Sequence, residues 1–129
     1  MILLDTNAFL FDALAPSRLT AQASAAIIQA FLANQLCVLD VTLTEVAWLA
    51  QAGRIELHGN TAEFLETAVQ ARNIVVLAVT PAIATLAAGL AMHKDPADRL
   101  IAAAAMTHRA RLVTSDERLR AVAGLVAVW

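Results

Sequence analysis

Residues 73–92 read NIVVLAVTPAIATLAAGLAM, an uncharged run with the length of a bilayer-spanning helix. The Thr80-Pro81 pair decides against that. A proline inside a helix removes a backbone hydrogen bond and clashes with the preceding turn, so the run divides there. The half before it is rich in valine and isoleucine, the half after it in alanine and leucine. Strand, turn and helix is the reading that satisfies both halves. A second apolar stretch, residues 19–39, carries Gln22, Gln29, Asn34 and Gln35, too many amides for lipid. No membrane span is expected. The N-terminus has no basic segment and Asp5 interrupts its apolar start, so a signal peptide is not expected either and the cytoplasm is the expected location.

The same alternation runs along the whole chain. Strands are expected at 1–5, 36–41, 74–79, 111–114 and 125–128. Helices are expected near 7–14, 18–34, 43–53, 61–72, 82–92, 97–109 and 116–121. The strands are apolar throughout rather than alternating, as strands buried on both faces are. With helices between them, they form a parallel sheet of about five strands between two helical layers, an α/β fold of the three-layer α/β/α kind. No linker or repeat interrupts the 129 residues, so one domain over 1–129 is expected.

Composition narrows the function. Charged residues make up 16% of the chain, against roughly 25% in ordinary domains, so some apolar surface is expected to meet a partner. The net charge of −2 gives no general affinity for polyanions, and a nucleic-acid role needs locally clustered cations. The single cysteine, Cys37, lies in an apolar run and reads as a buried thiol.

In open α/β sheets, sites form beyond the carboxyl ends of the strands. Strand one ends at Asp5. Strand two leads through Asp40 into TLTEVAWLA, with Glu45. The helix before strand four opens HKDPADRLIAAAA, with Asp95 and Asp98, and strand four ends in TSDER, with Asp116. Each acid also suits a local role. Asp5 and Asp116 fit helix caps, Glu45 a first-turn acid, and Asp95-Pro96 with Asp98 a capping sequence. Capping, however, is indifferent to where those helix starts meet. Carboxylates converging at one end of a sheet repel one another unless cations hold them. Hard oxygen donors of this kind suit Mg²⁺ or Mn²⁺, ions that activate water against phosphodiesters.

LLDTNAFL, VTLTEVAWLAQAGRIEL, HKDPADRLIAAAA and RLVTSDERLR, in that order, resemble the PIN-domain ribonucleases, in particular the VapC-type toxins of type II toxin–antitoxin pairs. The DPxDRxIxAxA pattern within the third segment is the most specific match. The resemblance implies a PIN-like α/β/α fold and a metal-dependent endoribonuclease that leaves a 5′-phosphate and a 3′-hydroxyl. Carried over residue by residue, it assigns Asp5, Glu45, Asp98 and Asp116 to a catalytic site holding one or two Mg²⁺ or Mn²⁺ ions. Asn7, Thr114 and Ser115 would orient those carboxylates. Asp95 is left as the helix cap. Thr44 stands where this subgroup often has tryptophan, and Ala97 where a bulky aromatic is common. Both changes leave the ligand set intact and bear on the shape of the groove.

Six of the nine lysines and arginines lie between 94 and 120, which supplies the local positive charge that RNA requires. Lys94, Arg99 and Arg118 are the candidate RNA-binding residues, while Arg109 and Arg111 read as solvated surface charges. His93 is a further candidate phosphate contact, or a structural residue at a helix end. Helix 18–34 is apolar around much of its circumference, which points to a partner. The resemblance implies two partners, a second copy and a cognate antitoxin, besides the RNA substrate. Other readings are a PIN-like module that binds RNA or protein without cutting, and a phosphoacceptor signalling domain. The intact acids oppose the first. The second wants paired acids after strand one and a lysine near the last strand, and neither is present.

Overall fold

The computed structural model describes residues 1–129, and its sheet has five strands, all parallel, in the order β3-β2-β1-β4-β5. The strands are β1 (Ile2–Leu4), β2 (Leu36–Leu39), β3 (Val75–Leu77), β4 (Arg111–Val113) and β5 (Ala127–Val128). The helices are α1 (Thr6–Leu14), α2 (Ala21–Leu32), α3 (Asp40–Gln51), α4 (Thr61–Ala71), α5 (Pro81–Gly89), α6 (Pro96–Thr107) and α7 (Glu117–Arg120). The expected α/β/α architecture is present. No helix is long and apolar enough to cross a membrane.

Alternate residues of each central strand feed two separate cores. Ile2, Leu4, Leu36, Val38 and Val113 pack with Phe9, Ala23, Ile27 and Val46 on one face. Leu3, Cys37, Leu39 and Leu112 pack with Ile83, Ile101 and Leu119 on the other. Burial pushes the Cys37 thiol up to about 11, and it donates to the carbonyl of Ile2 at 3.1 Å, as an inert core residue does. Among the helices, α6 is the one with the most buried residues. Ala102 to Ala105 are all fully buried, and four consecutive residues cover a helix's entire circumference. Only methyl side chains allow the approach of α3, α5 and β4 around one helix, which accounts for the alanine run.

Three expectations need correction. The strands are not all buried on both faces: β3 has only β2 as neighbour, and Val75 and Val76 are exposed along this edge. The stretch expected as one helix over 18–34 begins as a single 3-10 turn, Pro16–Arg18. The helix proper starts only after Thr20, whose hydroxyl accepts from Ala23 N at 3.1 Å. Strand two stops at Leu39 rather than 41, and α3 begins at Asp40, so Glu45 lies in the second turn of its helix. The dipole argument for a first-turn acid therefore applies to Asp40 and not to Glu45.

Three of the helices that lead into strands stop in the same way. Asn34, Asn73 and Arg109 take left-handed backbone at the ends of α2, α4 and α6. The next amide then bonds back five residues: Gln35 to Ala30, Ile74 to Val69 and Ala110 to Ala105, at 2.8, 2.9 and 2.8 Å. This is the Schellman closure, which uses up orphan carbonyls and turns the chain sharply into the next strand. Because α6 ends where β4 begins, its N-terminus points to the carboxyl edge of the sheet. The winding also switches between β1 and β4, since β2 and β3 add on one side of β1 and β4 and β5 on the other, and in doubly wound sheets the crevice opens at that switch.

Candidate active site

Asp5 follows β1 at this switch and is 4% exposed. Its Oδ1 accepts from Ala8 N at 2.7 Å, so the capping role is real. A carboxylate has lone pairs to spare, however, and the cap occupies one oxygen. Thr114, fully buried at the end of β4, also hydrogen-bonds the Asp5 side chain, and its hydroxyl accepts from Asp116 N at 3.1 Å. One hydroxyl therefore links two of the acids. Burial pushes the Asp5 carboxyl up to about 6, and the nearby charges of Asp98 and Asp116 add to the rise.

The other acids come from three further elements. Glu45 projects from α3 and receives a hydrogen bond from the Thr6 hydroxyl. Burial raises its carboxyl, with Asp95 and Asp5 adding to the effect and Thr6 opposing it. Asp98, in the first turn of α6, is pushed up to about 6 by burial first and by Asp95 next, with His93 opposing and Asp116 and Glu45 adding. Asp95 is the cap of α6, accepting from Ala97 N at 3.0 Å and Asp98 N at 3.2 Å. Asp116 caps α7 and is clasped by the Arg118 guanidinium at 3.2 and 3.0 Å, which holds its carboxyl below the usual range.

His93 joins this group more closely than its sequence context indicates. Ligand atoms of His93, Asp98 and Asp116 all lie within 4.8 Å of one another. Its Nε2, buried and without a hydrogen-bond partner, faces Asp98 Oδ2 at 3.4 Å. Nδ1 accepts from Asp95 N at 3.3 Å, so in the neutral ring the proton belongs on Nε2. That tautomer leaves Nε2 without a lone pair for an ion, so His93 is a close neighbour of Asp98 rather than a ligand.

The structure thus brings Asp5, Glu45, Asp98 and Asp116 together, with Thr114 among them. It does not bring in Asn7, whose side chain is exposed and bonded to none of the acids, nor Ser115, which also makes no such bond. Of the cations, Lys94 is exposed beside α6 and Arg118 is paired with Asp116. Arg99 is committed elsewhere: its Nε donates to Ala87 O at 2.9 Å and its terminal nitrogen to Ala88 O at 2.8 Å, closing the end of α5. It reads as a C-terminal cap rather than a phosphate ligand. Thr6 and Thr42 were not anticipated. Thr6 adjoins Asp5 and Thr42 precedes Glu45 by one helical turn, and that proximity was the available signal.

The donor set is one of carboxylate oxygens whose charges oppose one another, with too few nearby cations to balance them. That is the chemistry a hard divalent cation satisfies, so the residues fit such an ion. The PIN domain family model matches residues 2–125, and the chain belongs to this family. It is 38% identical to Ribonuclease VapC22 of Mycobacterium tuberculosis over 121 residues, 92% of this chain and 89% of that one. Among solved structures it is similar to VapBC2 from Rickettsia felis bound to a DNA fragment from their promoter, with a TM-score of 0.75, 15% identity and 98% and 97% of the two chains covered. It is also similar to FitAcB from Neisseria gonorrhoeae, with a TM-score of 0.62, 22% identity and 98% and 96% covered. At those identities the two structures speak to the fold.

Proposed function

We propose that this chain is a metal-dependent endoribonuclease, the toxin of a type II toxin–antitoxin pair, acting in the cytoplasm through one PIN domain over residues 1–129. The observation that carries the proposal is the meeting of Asp5, Glu45, Asp98 and Asp116, from four separate segments, at the carboxyl edge beside the β1–β4 switch. The ribonuclease named among its relatives supports RNA as the substrate.

The four carboxylates would hold one or two Mg²⁺ or Mn²⁺ ions. When bound, a divalent ion activates water and offsets negative charge on a phosphodiester. The chain's own contribution is to hold the oxygens still. Ala8 N and Thr114 fix Asp5, Thr6 fixes Glu45, His93 faces Asp98, and the backbone amide of Arg118 with Thr114 fixes Asp116. Lys94, exposed just before α6, is the cation assigned to a backbone phosphate.

Exposed apolar side chains support the protein partners. Leu32, 74% exposed, lies one turn beyond exposed Ile28 on the outer face of α2, and Trp48, 68% exposed, projects from α3. Such surface fits a second copy and a cognate antitoxin. The VapBC2 and FitAcB structures, which share the fold, make an antitoxin partner the natural expectation. The test is RNA cleavage by the purified chain, freed of partner, with Mg²⁺ or Mn²⁺. Wild type should cut and Asp98→Asn, equally folded, should not. Specific RNA binding without cleavage at any divalent ion would replace this reading with that of a non-catalytic PIN-like module.

A further inference from the structure

The acids differ in how they are held. Asp5 and Asp116 are held by backbone amides, Asp116 also by the Arg118 guanidinium, and Asp98 faces the His93 ring at the start of α6. Glu45 has no such support, because it is one and a half turns into α3, where every backbone amide is already used by the helix. Its carboxylate is carried on a flexible stem, and Oε1 has a single protein partner, the hydroxyl of Thr6. Thr6 is 8% exposed and opens α1 directly after Asp5.

Thr6 Oγ1 also lies 3.4 Å from Thr42 Oγ1, and Thr42 is wholly buried. A threonine hydroxyl has one proton. If Thr6 gives its proton to the Glu45 carboxylate, the bond between the threonines must run the other way, from Thr42 to Thr6. The three side chains then form an ordered chain: Thr42 donates to Thr6, and Thr6 donates to Glu45. Each donation polarises the next, and a buried chain of this kind is stronger than its separate links. Its ends lie on one helix, Thr42 and Glu45 being three residues apart on α3, and its middle belongs to α1. The rotamer of Glu45 is thereby tied to the backbone that positions Asp5.

We propose that Thr6, supported by Thr42, is the positioning residue that presents the Glu45 carboxylate to the divalent cation. The inference rests on the metal-site reading above. It assigns a function to two hydroxyls that neither cap a helix nor face solvent. The methyl groups of both residues pack internally, so a valine preserves shape and removes only the hydroxyl. Thr6→Val should leave the fold intact and weaken cation binding, because an unheld glutamate must be ordered by the ion itself.

The experiment is a Mn²⁺ titration of the metal-free protein by calorimetry and by thermal shift, neither of which depends on turnover. Thr6→Val should raise the half-saturating Mn²⁺ concentration about 10-fold, within the range expected for partners of metal ligands. Thr6→Ser, which keeps the hydroxyl, should stay within about 2-fold of wild type, and Thr42→Val should fall between, at roughly 3-fold. In a Glu45→Gln background Thr6→Val should add nothing, since the residue it positions no longer carries charge. Wild-type affinity in Thr6→Val overturns the proposal. So does an equal loss in the Glu45→Gln background, which would mean that Thr6 acts through Asp5. If Glu45→Gln itself binds Mn²⁺ as wild type does, the metal-site reading fails and this inference falls with it. Weakened binding in Glu45→Gln but not in Thr6→Val removes the inference alone.

Discussion

Replacing Asp5 with asparagine isolates the electrostatic strain in the cluster. Asparagine has nearly the same shape, and its Oδ1 can still accept from Ala8 N. The Thr114 hydroxyl can rotate from donor to acceptor to meet the new NH₂ group. What the substitution removes is charge. Burial, then Asp98 and Asp116, carry the Asp5 carboxyl from 3.8 to about 6. At about 1.4 kcal/mol for each tenfold change in proton affinity, the ionised native state loses about 3 kcal/mol.

The sign follows from proton counting. Below 3.8 the carboxyl is protonated in both folded and unfolded chains and contributes nothing. Between 3.8 and about 6 the unfolded chain has released its proton while the folded chain retains it, so stability falls as pH rises. Above about 6 the loss is complete. Wild type held in EDTA should therefore weaken between about pH 4 and pH 7, and Asp5→Asn should weaken less. At about pH 7 the variant should melt roughly 5–10 °C higher, while near pH 4 the two should converge. Adding Mn²⁺ should reverse the order, because an ion that binds only the native state stabilises the intact site more. Thermal unfolding followed by circular dichroism reads both effects. A variant that melts below wild type at neutral pH in EDTA would refute the reasoning, since the charge of Asp5 would then be stabilising.

Arg118→Ala should tighten Mn²⁺ binding by about 2- to 5-fold in a calorimetric titration, because the guanidinium now clasps both oxygens of Asp116; unchanged affinity would show that the exposed pair does not compete. Arg72→Ala strips the two-pronged partner, at 3.0 and 2.9 Å, from Asp12, whose side chain is 6% exposed between α1 and α4. Urea denaturation should register a loss of roughly 2–4 kcal/mol, and one below about 0.5 kcal/mol would mark the pair as screened like a surface bridge. Arg99→Lys should lower stability by about 1–2 kcal/mol, since lysine cannot span both carbonyls of α5, with KM for RNA unaltered. A raised KM with unaltered melting would restore Arg99 to the RNA-binding surface.

Much of this was visible along the chain. Thr80-Pro81 separates β3 from α5, and Thr80 indeed caps the helix through Ile83 N at 3.2 Å. Asp95-Pro96 marks the start of α6 as a cap and first residue should. The boundary between β2 and α3 was not legible, because LCVLDV keeps its apolar, β-branched character past the last strand residue and no side chain caps the helix. Glu45 was consequently read in the wrong turn of α3. The capping and site readings of Asp5 and Asp116 are alternatives in the sequence, yet each residue both caps a helix and faces the site, Asp116 with its second oxygen held by the Arg118 guanidinium.

The sequence by itself determined the order of strands and helices, the apolar faces and the identity of the acids. Those properties depend on breakers, caps and periodicity within a few neighbouring residues. Tertiary structure alone decided which distant side chains touch. Placing β1 between β2 and β4 sets Asp5 against Thr114, and docking α1 on α3 sets Thr6 against Glu45, thirty-nine residues away. Packing of α6 on α5 turned Arg99 inward, and the entry into α6 set His93 towards Asp98. Such contacts follow from sheet order and from alanine-lined packing around α6, and no local pattern carries that information.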